Sequence, residues 1–166
     1  MKRWISLLTV ILLALTAGCG GISDKEMKKQ AEESASKSFG EKPQKPNEKI
    51  ESGSFYLPEN YSISSKKANN AILTKGGQKF LLFINKNERK DSKASYDLLR
   101  KEYKKRLVDK TFNADGEFGY LFVRNTKGKE YEAIAGIGGN KLTALIKKEE
   151  VPEAAGQMMK VLKSIQ

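Results

Sequence analysis

Apolar positions along this chain fall into three regimes. From Trp4 to Ala17 they run almost without a break, interrupted only by Ser6, Thr9 and Thr16. Between residues 20 and 54 the large apolar side chains thin to Ile22, Met27, Phe39 and Ile50. From Phe55 onward they alternate or recur with the periods of strands and helices.

The third regime predicts a folded unit over residues 55–166. Phe55-Tyr56-Leu57 reads as a first strand, continued through Tyr61–Ser64 after a turn at Pro58-Glu59-Asn60. Ala71–Thr74 reads as a second strand and Lys79–Asn85 (KFLLFIN) as a third, with Gly76-Gly77 as the tight turn between them. Asp91 or Ser92 can then cap a helix reaching to Val108. Its face is Tyr96, Leu99, Tyr103 and Leu107, at three- and four-residue spacing. Phe118–Val123, Lys129–Ile137 and Lys141–Lys148 form a meander, turned at Asn125–Gly128 and Gly138–Asn140. Pro152 suits the first turn of a closing helix with Ala155, Met158, Met159, Val161, Leu162 and Ile165 on its apolar surface. The predicted order is β-β-β-α-β-β-β-α. It implies an α+β fold, a mainly antiparallel sheet of about five or six strands packed with two helices.

The sparse regime predicts a spacer. Ser23 and Glu26 can form a capping box opening a helix over Asp24–Phe39, but that helix is expected to have no apolar stripe and to be transient. Gly40 ends it, and Pro43 and Pro46 keep the following stretch extended. Residues 19–54 are therefore expected to act as a flexible tether.

Lys2 and Arg3 precede the first regime, no acidic residue occurs before Asp24, and small residues follow. These features predict a signal peptide over residues 1–18. The apolar run is shorter than the roughly 20 residues of a spanning helix. Leu15-Thr16-Ala17-Gly18-Cys19 resembles the lipobox of bacterial lipoproteins. The resemblance implies a diacylglyceryl group on the Cys19 thiol, cleavage just before it, and a lipid anchor on the extracytoplasmic face of a cell membrane. Cys19 is the only cysteine, so no disulfide can form within the chain.

A second resemblance is carried by Phe55-Tyr56-Leu57-Pro58 ahead of Tyr61, the basic central helix, the Gly119–Ile146 meander and the terminal Val161–Gln166 (VLKSIQ). Together they resemble the superfamily containing the photosystem extrinsic protein PsbP and the envelope lipoprotein DcrB. The resemblance implies a PsbP/DcrB-like domain over residues 55–166. It also implies a small binding or accessory protein.

Charge narrows the function. The chain carries a formal net charge of +11. Residues 20–54 hold seven Lys and seven acidic residues, whereas residues 55–166 hold 22 Lys plus Arg and 13 acidic residues. The imbalance lies in the expected domain and favours attraction to anionic surfaces. Lys86, Arg89, Lys90, Lys93, Lys101, Lys104 and Lys105 are the candidate contacts by charge density. Export argues against nucleic acid as the partner.

Candidate chemistry is thin. The chain has no histidine, which excludes His-based triads and ordinary histidine metal sites. Ser62, Ser64, Ser65, Lys66 and Lys67 cluster beside Asn69-Asn70 and read as a loop. Asn113–Glu117 carries the centre of a calcium-loop pattern, but Thr111 and Phe122 stand where the outer ligands belong. The glycine-rich Gly136–Asn140 joins two strands and lacks the strand-to-helix context of a phosphate loop. The expectation is a non-catalytic, membrane-anchored envelope lipoprotein without cofactor or metal, binding a protein partner or anionic envelope component through its basic face. The alternatives are a small apolar-ligand carrier, marked by a deep cavity between sheet and long helix, and an enzyme acting on cell-wall or lipid material.

Overall fold

A computed structural model describes residues 21–166. The expected signal peptide and Cys19 lie outside the described residues. The chain enters through α1 (Asp24–Gly40) and passes a small two-stranded ladder, β1 (Glu48–Ile50) and β2 (Gly53–Phe55). One seven-stranded sheet follows. Its strands are β3 (Ser62–Lys66), β4 (Asn70–Lys75), β5 (Gln78–Phe83), β6 (Val108–Ala114), β7 (Glu117–Asn125), β8 (Glu130–Ile137) and β9 (Asn140–Lys147). Helix α2 (Ala94–Glu102) lies between β5 and β6, and α3 (Val151–Lys163) closes the chain. The spatial order is β3-β4-β5-β9-β8-β7-β6, with every neighbouring pair antiparallel. Two meanders thus meet along one seam, where Phe80 faces Ala144 and Phe83 faces Lys141.

The fold is α+β, but the expected five or six strands, two helices and β-β-β-α-β-β-β-α order are overturned. Nine strands and three helices are present among the described residues. Strand β6 escapes the sequence pattern because an edge strand needs few apolar residues: Val108 and Phe112 are its buried side chains. Asp115 and Gly116, both at positive φ, turn it tightly into β7. The first expected strand splits, because residues 56–61 leave β2 and only re-enter a ladder at Ser62.

The largest correction is α1. The segment read as a transient helix in a flexible tether is a 17-residue helix packed into the core. Ser23 caps it, its Oγ accepting the Glu26 N–H at 3.1 Å. Met27, Ala31, Ala35 and Phe39, four residues apart, are buried along one stripe. The stripe is narrow because its middle is alanine, which lets α1 approach α3 closely. A Cβ placed on Gly156 of α3 would stand 2.6 Å from Ser34 Oγ. Small residues at a helix crossing contribute through proximity rather than through their own apolar area.

α1 and α3 cover one face of the sheet. Leu121, Val123, Ala133, Leu142 and Ile146 from the strands fill the layer together with Met27, Met158, Met159 and Leu162 from the helices. The opposite face is divided. Over β7 and β8 it is covered by α2; over β4, β5 and β9 it is open, leaving Leu81 and Leu145 each 48% exposed. No helix among the described residues is long and apolar enough to cross a membrane.

Candidate functional site

All seven candidate basic residues lie on one connector, residues 84–107, between β5 and β6. Hydrogen bonds from main-chain N–H groups fix its course. Asn85 N–H donates to Asn140 Oδ1 (2.9 Å), Phe118 N–H donates to the Lys90 carbonyl (2.8 Å), and Leu107 N–H donates to the Val123 carbonyl (2.8 Å). Glu88 gathers the first bend, accepting from Ser92 Oγ (2.6 Å), Asn85 Nδ2 (3.3 Å) and Ser95 Oγ (3.4 Å). The connector therefore runs the length of β7, from the sheet end at the β8–β9 turn to the opposite end at Asn125.

Alternation along β7 supplies its footing. Phe118, Tyr120 and Phe122 share the face that α2 covers. Tyr96 lies on them: its ring stacks on Phe122 (centroids 5.3 Å, planes 5° apart) and meets Phe118 edge-on (5.4 Å, 74°). Leu99 and Tyr103 complete the contact. The Tyr96 hydroxyl donates to Asp109 at 3.1 Å, and Asp109 also binds Arg106 (3.0 Å) and Arg100 (3.7 Å). Burial, then the Asp109 charge, raises the Tyr96 phenol above its ordinary range.

Cations rim this aromatic patch. Lys93 lies 5.3 Å from the Phe118 centroid, Arg106 5.6 Å from Phe122, Arg100 6.0 Å from Tyr96 and Arg124 4.2 Å from Tyr103. The seven candidates divide accordingly. Arg89 is held by both Asp91 oxygens (2.9 and 2.8 Å), an arrangement that lowers the Asp91 pKa and raises that of Arg89. Lys90 pairs with Glu117 at 3.2 Å. Lys86, Lys93, Lys101, Lys104 and Lys105 have no ion-pair partner among the described residues. The connector spreads them: Lys86 stands at the β8–β9 turn end, while Lys104 and Lys105 stand at the Asn125 end.

Arg100, Arg106 and Arg124 belong to the patch and were not among the candidates. The spacing of Arg100, four residues after Tyr96 on the same helix, carries that signal. Arg124 comes from β7 and is paired with Glu132 of β8, so only the fold brings it there.

The other clusters disperse. Ser62 Oγ shares a hydrogen bond with Thr74 Oγ1 (2.7 Å), Ser64 Oγ donates to the Ile72 carbonyl (3.3 Å), and Lys66 binds Glu48 (2.7 Å), so these groups do not converge. Glu117 is engaged in two ion pairs: its Oε2 lies 2.8 Å from Lys163 Nζ and its Oε1 3.2 Å from Lys90 Nζ. Among the described residues no group of three metal-ligating side chains forms.

The sequence matches no protein-family model, and a search of characterised proteins finds no significant relative.

Proposed function

We propose that the protein is a non-catalytic, lipid-anchored accessory protein of the cell envelope. Its basic connector over residues 84–107 contacts an acidic protein partner or an anionic envelope component. The observation that carries this reading is the set of five lysines without carboxylate partners, displayed along a connector whose backbone is pinned at both ends and whose helix rests on a stacked aromatic patch. A pinned backbone confines the ordering cost of binding to the lysine side chains, and electrostatic complementarity speeds encounter. Anchoring rests on Cys19 and the lipobox-like residues before it.

The carrier alternative has less support, because the layer between the sheet and its two long helices is filled by packed side chains. The enzyme alternative lacks a convergent set of groups, since the clustered serines and Lys66 are engaged elsewhere.

Crosslinking in intact cells followed by mass spectrometry tests both parts. It identifies neighbours and reports whether Cys19 carries lipid. Replacing Lys86, Lys93, Lys101, Lys104 and Lys105 with Gln is expected to abolish capture of the identified neighbour at matched salt. Undiminished capture refutes the basic contact, and an unmodified Cys19 refutes the anchor.

A further inference from the structure

Antiparallel pairing sorts the molecule into two ends. At one end lie the β7–β8 turn, the end of β9, the chain after α2 and the start of α1. Glu130 pairs with Lys147, Asn125 with Tyr131, and Leu107 N–H donates to the Val123 carbonyl. Asp24, the first residue of α1, accepts from the Tyr131 hydroxyl (3.0 Å) and pairs with Lys148 (2.8 Å). At the other end lie the β8–β9 turn, Lys86 and the C-terminal residues of α1, with Phe39 against Phe112 and Gly119. The strands separate these ends by about 30 Å, nine residues at roughly 3.3 Å each along β7.

The chain from Cys19 arrives at the first end. Ile22 already packs against the core, and three residues span at most about 11 Å. A lipid on Cys19 therefore holds the Asn125 end close to the bilayer. That end is also basic. Lys25, Lys104, Lys105, Lys127, Lys129 and Lys147 are exposed there and have no ion-pair partner among the described residues. A groove of about 510 Å³ opens between Lys129, Tyr131, Lys147 and Lys148, with Glu130 and Glu149 on its wall. Lys148 is neutralised by Asp24, so Lys129 and Lys147 are its free cations.

We infer that this end is a membrane-facing surface. Lys104, Lys105, Lys127, Lys129 and Lys147 seat the domain on anionic phospholipid headgroups, so that the sheet stands upright on the bilayer and the β8–β9 turn points away. The inference rests on the proposed lipid anchor and names the membrane itself as one anionic component. The two acyl chains of a diacylglyceryl group hold the protein to the bilayer, and basic residues near a charged surface add the attraction that selects which end faces it.

The test uses the mature lipidated protein in vesicles, either pure phosphatidylcholine or phosphatidylcholine with phosphatidylglycerol. A water-soluble amine reagent labels exposed lysines, read by peptide mass spectrometry. On anionic vesicles, labelling of Lys127, Lys129 and Lys147 is expected to fall about threefold or more relative to neutral ones. Labelling of Lys42 and Lys86 stays unchanged. High salt restores the lost labelling. Replacing Lys127, Lys129 and Lys147 with Gln, all at the surface, is expected to remove the anionic-lipid protection of Lys104 and Lys105. Acylated Cys19 with identical labelling on both vesicles overturns the orientation. Absence of acyl on Cys19 overturns the anchor on which it rests.

Discussion

Tyr120 and Gly136 face each other across β7 and β8, and the Tyr120 ring occupies the space that a Cβ on Gly136 would need. The ring is rigid and fully buried, so it cannot yield as a flexible side chain would. Gly136→Ala is expected to destabilise the domain by about 2–4 kcal/mol through overpacking, measurable by urea unfolding. The Tyr120 hydroxyl has no hydrogen-bond partner among the described residues. Tyr120→Phe should therefore be neutral or stabilise by up to about 1 kcal/mol, whereas a clear loss would reveal a partner for that hydroxyl.

The two buried phenols make the protein sensitive to alkali. Burial, and secondarily the Glu153 charge, pushes the Tyr61 pKa up to about 12. Burial, then Glu88, raises Tyr120 further. Both groups favour the protonated form when folded. Their stabilisation is complete below the ordinary tyrosine value near 10 and is lost as pH rises through the folded values. Unfolding followed by circular dichroism, alongside phenolate absorbance, should show cooperative loss of structure together with late tyrosine ionisation. In Tyr61→Phe that loss should shift to higher pH.

Lys163 is 5% exposed at the end of α3, with its ammonium 2.8 Å from Glu117 and over the Phe39 ring at 4.8 Å. Removing Glu117 leaves that charge with only the exposed Asp115, 3.9 Å away. Glu117→Gln is expected to cost about 3 kcal/mol, and Lys163→Met markedly less, because Glu117 keeps Lys90. Thermal melts of both single variants and the double variant give the coupling. Equal costs for the two singles would refute the asymmetry.

Helix α1 should be indispensable to folding. A chain starting at residue 55 loses Met27, Ala31, Ala35 and Phe39 from the core and exposes the surface of α3 beneath them. It is expected to lack a cooperative melt. Within the intact chain, Ala35→Glu places an unpaired carboxylate against α3 and should cost about 3 kcal/mol or more. A cooperative melt of the truncated chain would restore the tether reading of residues 20–54.

What the sequence conveys and what it conceals differ by mechanism. Strong strands such as β5 and β7 announce themselves through aromatic and branched residues, and turns through Gly76-Gly77 and Asn125–Gly128. Helix α1 is hidden because Ala31, Ala35 and Ser38 bury without being strongly apolar; the close approach that buries them shows only in the fold, where Gly156 of α3 meets Ser34 and Ser38. Helix α2 is shorter than its periodicity implies. It ends at Glu102, and Leu107 packs in the core on the opposite side of the sheet from Tyr96 and Leu99. The chain must turn there to start β6, a demand no local pattern records. Of the basic connector, the segment was legible, and one of its ion pairs is local, Asp91 lying two residues from Arg89; the other is hidden, because Glu117 reaches Lys90 only through the sheet.

The seam between β5 and β9 has a kinetic consequence. Each meander can close hairpin by hairpin between strands adjacent in sequence, but Phe80 finds Ala144 only after α2 and three further strands have been placed. The register of that seam is therefore the slow, late event. Before it closes, the unpaired edges of β5 and β9, carrying Leu81 and Leu145, are open to pairing with another chain.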